Sequence, residues 1–183
     1  MKILFVHGLA SSGAYKLADM LRITMKAEVV APDVPIDPDE ALGMLRALCR
    51  SEEPDLVVGL SWGGFLVHRL HGIPRALINP DLKVARLLRT MTSVVEYLSP
   101  RRDGSTSFTI TPALCDRYEA LEGPAPDAQR LLGLFADRDE LVHCADTFAA
   151  LYPGRSVRYP GKHLPTFPEV KNHIAPALRR FVG

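Results

Sequence analysis

The sequence has 183 residues, 47% of them apolar and 23% charged, with a formal net charge of +1. A chain of this length and composition can close around a core of its own as one domain over 1–183, and it is not disordered. The near-neutral charge gives no electrostatic case for a nucleic acid or an anionic membrane as partner, no run approaches the ~20 apolar residues of a membrane span, and the apolar run from Ile3 to Val6 is too short for the core of a signal peptide.

The chain opens with a continuous apolar run, Lys2 to Val6, that reads as a buried strand. Tyr15 to Lys26 reads as a helix. Glu28 to Ala31 is a second strand, closed by the breakers Pro32-Asp33-Val34-Pro35. Asp37 to Arg50 is a helix: Pro38 suits its first turn, Asp39 and Glu40 suit the positive end of its dipole, and Leu42, Leu45 and Leu48 share a face. Asp55 to Gly59 is a third strand, followed by a helix from Trp62 to Leu70, and Arg75 to Asn79 is a fourth strand.

From Asp81 to Pro126 the rhythm changes. A helix-like stretch (Val84 to Tyr97), a polar loop (Ser99 to Thr109) and a second helix-like stretch (Pro112 to Leu121) read as an excursion from the sheet, placed to lie over a site. Regular alternation then resumes with a strand at Arg130 to Ala136, a helix from about His143 to Leu151, and a strand at Ser156 to Tyr159. The last helix puts Val170, Ile174, Leu178 and Phe181 on one face, with Pro176 kinking it or marking a later start. Apolar strands alternating with helices predict a three-layer α/β/α sandwich around a mostly parallel sheet of about six strands in the order 2-1-3-4-5-6, with functional groups at the strands' carboxyl ends.

The run Gly59-Leu60-Ser61-Trp62-Gly63-Gly64 stands between the third strand and its helix. A serine on so tight a turn is held in a strained backbone conformation, and only small residues fit two positions to either side. G-x-S-x-G arises often by chance. Here the strand before it and the helix after it favour an exposed nucleophile, with the Trp62 N–H at a helix N-terminus facing a developing oxyanion. A serine hydroxyl needs a base, usually a histidine oriented by a carboxylate. His163, in Pro160-Gly161-Lys162-His163 after the last strand, is the candidate base. After the fifth strand Asp137, Asp139 and Glu140 compete as the acid. Asp139 lies three residues before Val142, a spacing that resembles the acid loop of many α/β-hydrolases; Asp137 is the runner-up, and Glu140 reads as solvent-facing. The loop from His7 to Gly13 would supply a second oxyanion donor, the Leu9 N–H, to which Ser11 or Ser12 could add a hydroxyl. It lacks the lysine and spacing of a phosphate-binding loop, and His7 itself reads as structural.

These residues together resemble the YqiA-type esterases, small bacterial proteins of the α/β-hydrolase fold with a minimal cap. The resemblance runs nearly end to end: the opening strand into His7-Gly8, the elbow with Gly63-Gly64, Asn79-Pro80, Asp139 with Glu140, and the Gly161-x-His163 turn followed by Phe167. It implies cleavage of acyl esters, or of acyl-CoA thioesters, by Ser61, Asp139 and His163, with no metal or cofactor and a small-molecule substrate. Trp62 and Lys162 depart from the pattern and are expected to reshape the mouth of the site. The competing expectation is a catalytically silent binding protein on the same fold.

Of the other residues, His68 and His71 read as surface or partly packed, and His143 and His173 as surface. Arg101-Arg102 and Arg179-Arg180 read as solvated, with Arg101-Arg102 a weak candidate for a CoA phosphate. The three cysteines, Cys49, Cys115 and Cys144, have no paired spacing and read as reduced thiols of a cytoplasmic protein.

Overall fold

Apolar residues on successive positions of a strand point to opposite faces, so a strand apolar throughout must be covered on both sides. A computed structural model, which describes residues 1–91 and 93–183, shows this arrangement. Strands β1 (Lys2–Val6), β2 (Glu28–Val30), β3 (Leu56–Leu60) and β4 (Arg75–Ile78) precede an intervening segment, and two further sheet strands follow it. Leu4 and Val6 of β1, Val57 of β3 and Leu77 of β4 enter one apolar cluster. Their neighbours Ile3, Phe5, Leu56, Val58, Ala76 and Ile78 enter the other.

Helices α1 (Leu17–Met25), α2 (Pro38–Glu52) and α3 (Trp62–His68) connect these strands. The Asp37 carboxylate caps α2, accepting the N–H groups of Asp39 (3.0 Å) and Glu40 (3.3 Å). Two of the donors that every helix start leaves without an internal acceptor are thereby satisfied.

The segment after β4 differs from the sequence expectation. Only Val84–Leu88 is helical (α4), whereas Val94–Glu96 (β5) and Ser107–Thr109 (β6) pair as an antiparallel ribbon before helix α5 (Pro112–Ala120). Thr92, within the stretch expected to be helical over 84–97, lies outside the described residues. The apolar spacing suggested one long helix, but Ser93-Val94-Val95 brings β-branched side chains that lose χ1 freedom in a helix and fit a pleated ribbon.

The sheet resumes with β7 (Leu131–Ala136), helix α6 (Ala145–Leu151) and β8 (Ser156–Tyr159). Among the described residues, six strands form one sheet in the order β2-β1-β3-β4-β7-β8, and every pairing is parallel. This is the expected order once the ribbon is set aside. The chain ends in α7 (Phe167–Glu169), a π turn (Val170–Ile174) and α8 (Ala175–Val182). The π turn, in which the Ala175 N–H reaches back to the Val170 carbonyl, sits immediately before Pro176. It absorbs the register change that a helical proline imposes.

Candidate active site

Ser61, Asn79, Asp139 and His163 follow β3, β4, β7 and β8 in turn, so all four stand at the carboxyl edge of the sheet, where open parallel sheets place their sites. Ser61 has φ +52° and ψ −117°, a backbone conformation that costs about 1–3 kcal/mol for a non-glycine residue. The flanking glycines make the turn possible. A Cβ on Gly59 would lie 2.4 Å from the Gly63 carbonyl oxygen, and one on Gly63 would lie 2.3 Å from that of His7.

The structure brings the three expected side chains together. The Ser61 Oγ is 2.9 Å from His163 Nε2, and His163 Nδ1 is 2.8 and 3.0 Å from the two carboxylate oxygens of Asp139. A carboxylate can only accept, so the imidazole carries its proton on Nδ1 and Nε2 accepts the serine O–H. The His163 and Asp139 side chains are only 4% and 8% exposed, which keeps this relay out of bulk water. Asp139 Oδ1 also accepts the N–H groups of Leu141 and Val142, each at 2.9 Å. That explains the spacing to Val142: the carboxylate is held by its own turn while it faces the imidazole. Asp137 is exposed, with its main-chain N–H on the Tyr159 carbonyl (2.9 Å). Glu140 is exposed too, but its Oε2 accepts the His163 N–H (3.3 Å), a contact that solvent-facing character did not suggest.

Asn79 has a larger part than its sequence signal indicated. It is buried, has φ +45°, and its amide spans three strand ends. Oδ1 accepts the Ala136 N–H (2.8 Å), while Nδ2 donates to Tyr159 Oη (2.8 Å) and to the carbonyls of His163 (2.8 Å) and Lys162 (3.3 Å). One side chain thus ties the end of β7 to the loop that carries His163. Asparagine tolerates the left-handed region better than most residues, and that preference was the readable signal in Asn79-Pro80.

Leu9 lies on the cavity wall beside Gly8 and Ser61, in a turn closed by the Ser11 N–H on the Gly8 carbonyl (3.3 Å). Trp62 opens α3, so its N–H is among those without an acceptor inside the helix. The Trp62 indole, expected at the mouth, is instead buried, with Nε1 donating to Tyr118 Oη (2.8 Å). His7 supports the same loop. Its Nε2 accepts the Val34 N–H (3.0 Å), Nδ1 donates to the Gly8 carbonyl (2.8 Å), and burial holds its pKa down at about 4.

A cavity of about 370 Å³ opens beside Ser61, within the usual range for small-molecule sites. Leu87, Met91 and Leu98 of the intervening segment form part of its wall, together with Leu60, Leu141 and Leu164. That segment is clasped to the His7–Gly13 loop. The Leu98 N–H donates to the Ala10 carbonyl (2.7 Å), and Arg101 reaches the carbonyls of Val34 (3.3 Å) and Ser11 (3.5 Å). Arg101 was expected to be solvated. Its side chain is 2% exposed, lies 4.3 Å over the Tyr97 ring and pairs with Asp103 (2.8 Å), which leaves it committed to the fold. His68, expected at the surface or partly packed, is instead fully buried on Tyr152 Oη (2.8 Å), and burial lowers its pKa to about 3.

A six-stranded parallel sheet with helices on both faces and a serine turn after its central strand is the α/β-hydrolase fold. No protein-family model matches the sequence, and no curated protein sequence matches it. Solved structures do. The esterase domain of a Rhodothermus marinus protein superposes with a TM-score of 0.66 at 19% identity, over 100% of this chain and 88% of that one. A fluorophosphonate-binding serine hydrolase of Staphylococcus aureus, in a substrate-bound structure, gives 0.60 at 14%, over 100% and 83%. The type II thioesterase of the borrelidin biosynthetic cluster gives 0.59 at 14%, over 100% and 90%. At these identities the likeness is one of fold.

Proposed function

We propose that the protein is a serine hydrolase that cleaves carboxylic esters or thioesters through an acyl-enzyme, with Ser61 as nucleophile, His163 as general base and acid, and Asp139 as the carboxylate that orients the imidazole. The observation that carries this is the unbroken relay from the Ser61 hydroxyl through both imidazole nitrogens to a buried carboxylate. Attack of Ser61 Oγ on the acyl carbonyl passes the hydroxyl proton to Nε2, and Asp139 stabilises the imidazolium that forms. The Leu9 and Trp62 N–H groups are the candidate donors to the oxyanion, and one such donor is typically worth about 3 kcal/mol. His163 then protonates the departing alcohol or thiol, and a water activated by the same imidazole releases the acid.

The esterase, serine hydrolase and thioesterase among the similar structures support this chemistry without distinguishing ester from thioester. The YqiA-type esterases remain the proposed relatives. In this proposal the chain acts as one domain, with residues 81–126 as its minimal cap, in the reducing cytoplasm that its three free cysteines suit. The test is labelling by a fluorophosphonate probe together with turnover of p-nitrophenyl hexanoate. Wild-type protein should do both and Ser61→Ala neither. Turnover that survives Ser61→Ala would assign the chemistry elsewhere and favour a silent hydrolase-fold binding protein at this site.

A further inference from the structure

Large apolar side chains left in water are usually scattered singly, and a gathering of them marks a binding surface. Four of the ten exposed large apolar side chains among the described residues, Leu87, Leu98, Leu141 and Leu164, line the cavity beside Ser61. They come from three separate parts of the chain: the intervening segment, the turn that holds Asp139 and the loop that carries His163. Leu98 is 84% exposed and Leu141 67%. Leu98 is fixed there by main chain, since its N–H is the one clasped to the Ala10 carbonyl.

Leu98 and Ser99 also line a second depression, of about 560 Å³, on the β5–β6 ribbon. Val94, exposed on β5, and Pro100 add apolar wall to it. At about 370 Å³ the cavity itself stands at the low end of the range for small-molecule sites, so it suits the reacting carbonyl and a short chain. A longer chain has to leave it, and across Leu98 it meets further apolar wall instead of open water. Charge narrows the choice. Asp81 lines the cavity and Glu96 the ribbon depression, and among the described residues His163 is the only basic side chain on either. A carboxylate or phosphate on the chain would meet those acids without a counter-charge.

We propose that the substrate carries an uncharged aliphatic chain longer than the cavity, which runs from Ser61 over the leucine rim and lies in the depression on the ribbon. This rests on the ester or thioester hydrolysis proposed above and adds to it the class of group that is recognised. Each methylene moved from water onto these walls is worth up to about fourfold in kcat/KM.

The experiment measures kcat/KM for p-nitrophenyl esters from acetate to decanoate and for alkyl acetates from ethyl to decyl, each below the concentration at which it aggregates. One series should keep rising beyond six carbons, by about tenfold or more from six to ten, and the series that rises shows which side of the ester carries the chain. Leu98→Ser and Val94→Thr, the second keeping a β-branched residue in the ribbon, should each cut that gain at least threefold while melting close to the parent. A carboxylate at the end of the ten-carbon chain should abolish the gain. Two series that are flat or falling beyond six carbons would overturn the proposal. So would folded variants that keep the full gain, or a carboxylated chain that does. A rate that rises only once the ester aggregates would overturn it by making the rim a contact for a lipid surface. A Leu98→Ser variant that alters self-association and leaves the chain-length profile intact would overturn it by making the rim an interface between copies. Fluorophosphonate labelling at Ser61 separates the two levels: labelling with no chain-length gain refutes the extended chain alone, whereas absence of labelling refutes the serine hydrolase.

Discussion

Gly63 is pressed against main chain on the floor of the elbow, and replacing it with alanine puts a number on that turn. The added Cβ would lie 2.3 Å from the His7 carbonyl oxygen and 2.5 Å from that of Val6, about 1 Å inside the ~3.5 Å at which non-bonded heavy atoms rest. Both oxygens are main chain, at the end of a strand paired on both sides, so no side chain can rotate out of the way. Relief must come from shifting α3 or the end of β1. Overpacking of this kind costs about 1–3 kcal/mol, and an immovable neighbour argues for the upper end. About 3 kcal/mol corresponds to roughly a hundredfold in the folding equilibrium. The same shift moves Leu9 relative to Ser61, so turnover should fall further than stability alone would dictate. Gly43 is the control. It is exposed in the middle of α2, and a Cβ there meets nothing within 4 Å. Gly43→Ala should therefore stabilise by about 1 kcal/mol through helix propensity. Urea unfolding followed by circular dichroism, with p-nitrophenyl hexanoate turnover on the same samples, reads both effects. Equal stability of Gly63→Ala and the parent, or a common direction for the two alanines, would refute the steric account.

Four further outcomes are expected. Asp139→Asn should slow ester hydrolysis by orders of magnitude, whereas Asp137→Asn should change it little; kcat/KM decides, and the reverse ranking would move the acid to Asp137. Asn79→Gly keeps the left-handed backbone but loses the amide that holds the His163 loop, so kcat per fluorophosphonate-reactive serine should fall about a hundredfold, the scale of a 1 Å misplacement, with KM nearly unchanged; loss confined to the reactive fraction would make Asn79 purely structural. The buried, neutral histidines at 7 and 68 have pKa values of about 4 and about 3 against an ordinary 6.5, so the unfolded chain binds the extra protons and stability falls as pH drops from 6.5 towards 4. The slope is about 1.4 kcal/mol per pH unit for each histidine; urea midpoints measure it, and His68→Gln should flatten it. Cys144 donates its thiol to the Pro80 carbonyl (2.8 Å), and burial pushes its pKa up to about 12, so iodoacetamide at pH 8 should leave it unmodified in the folded protein.

Local pattern carried most of the architecture. Lys2–Val6 and Ser156–Tyr159 match the expected strands residue for residue; the first is legible because a strand buried on both faces has to be apolar along its length, the second, an edge strand, from its position between turn residues. Glycines at 59 and 63 marked the elbow because steric exclusion there is local to the turn. The intervening segment was misread for a related reason: α4 and β5 both use apolar residues, and periodicity over so short a run does not separate a helix from a ribbon. Arg101 and His68 were misread because a charged or imidazole side chain looks the same in sequence whether solvated or buried. What buries them are Tyr97 with Asp103 in one case and Tyr152 in the other.

By itself, then, the sequence determined which segments would form the strands of the parallel sheet and that Ser61 would sit on a strained turn, since both follow from side chains within a few residues of one another. Tertiary structure decided how Asp139 is brought to face His163 and how Asn79 joins β7 to the histidine loop. The Ser61–His163 contact spans 102 residues and the Asn79–His163 contact 84. Hydrogen bonds of that reach depend on where the chain ends up in space, and the sheet brings those ends together only once its core has packed.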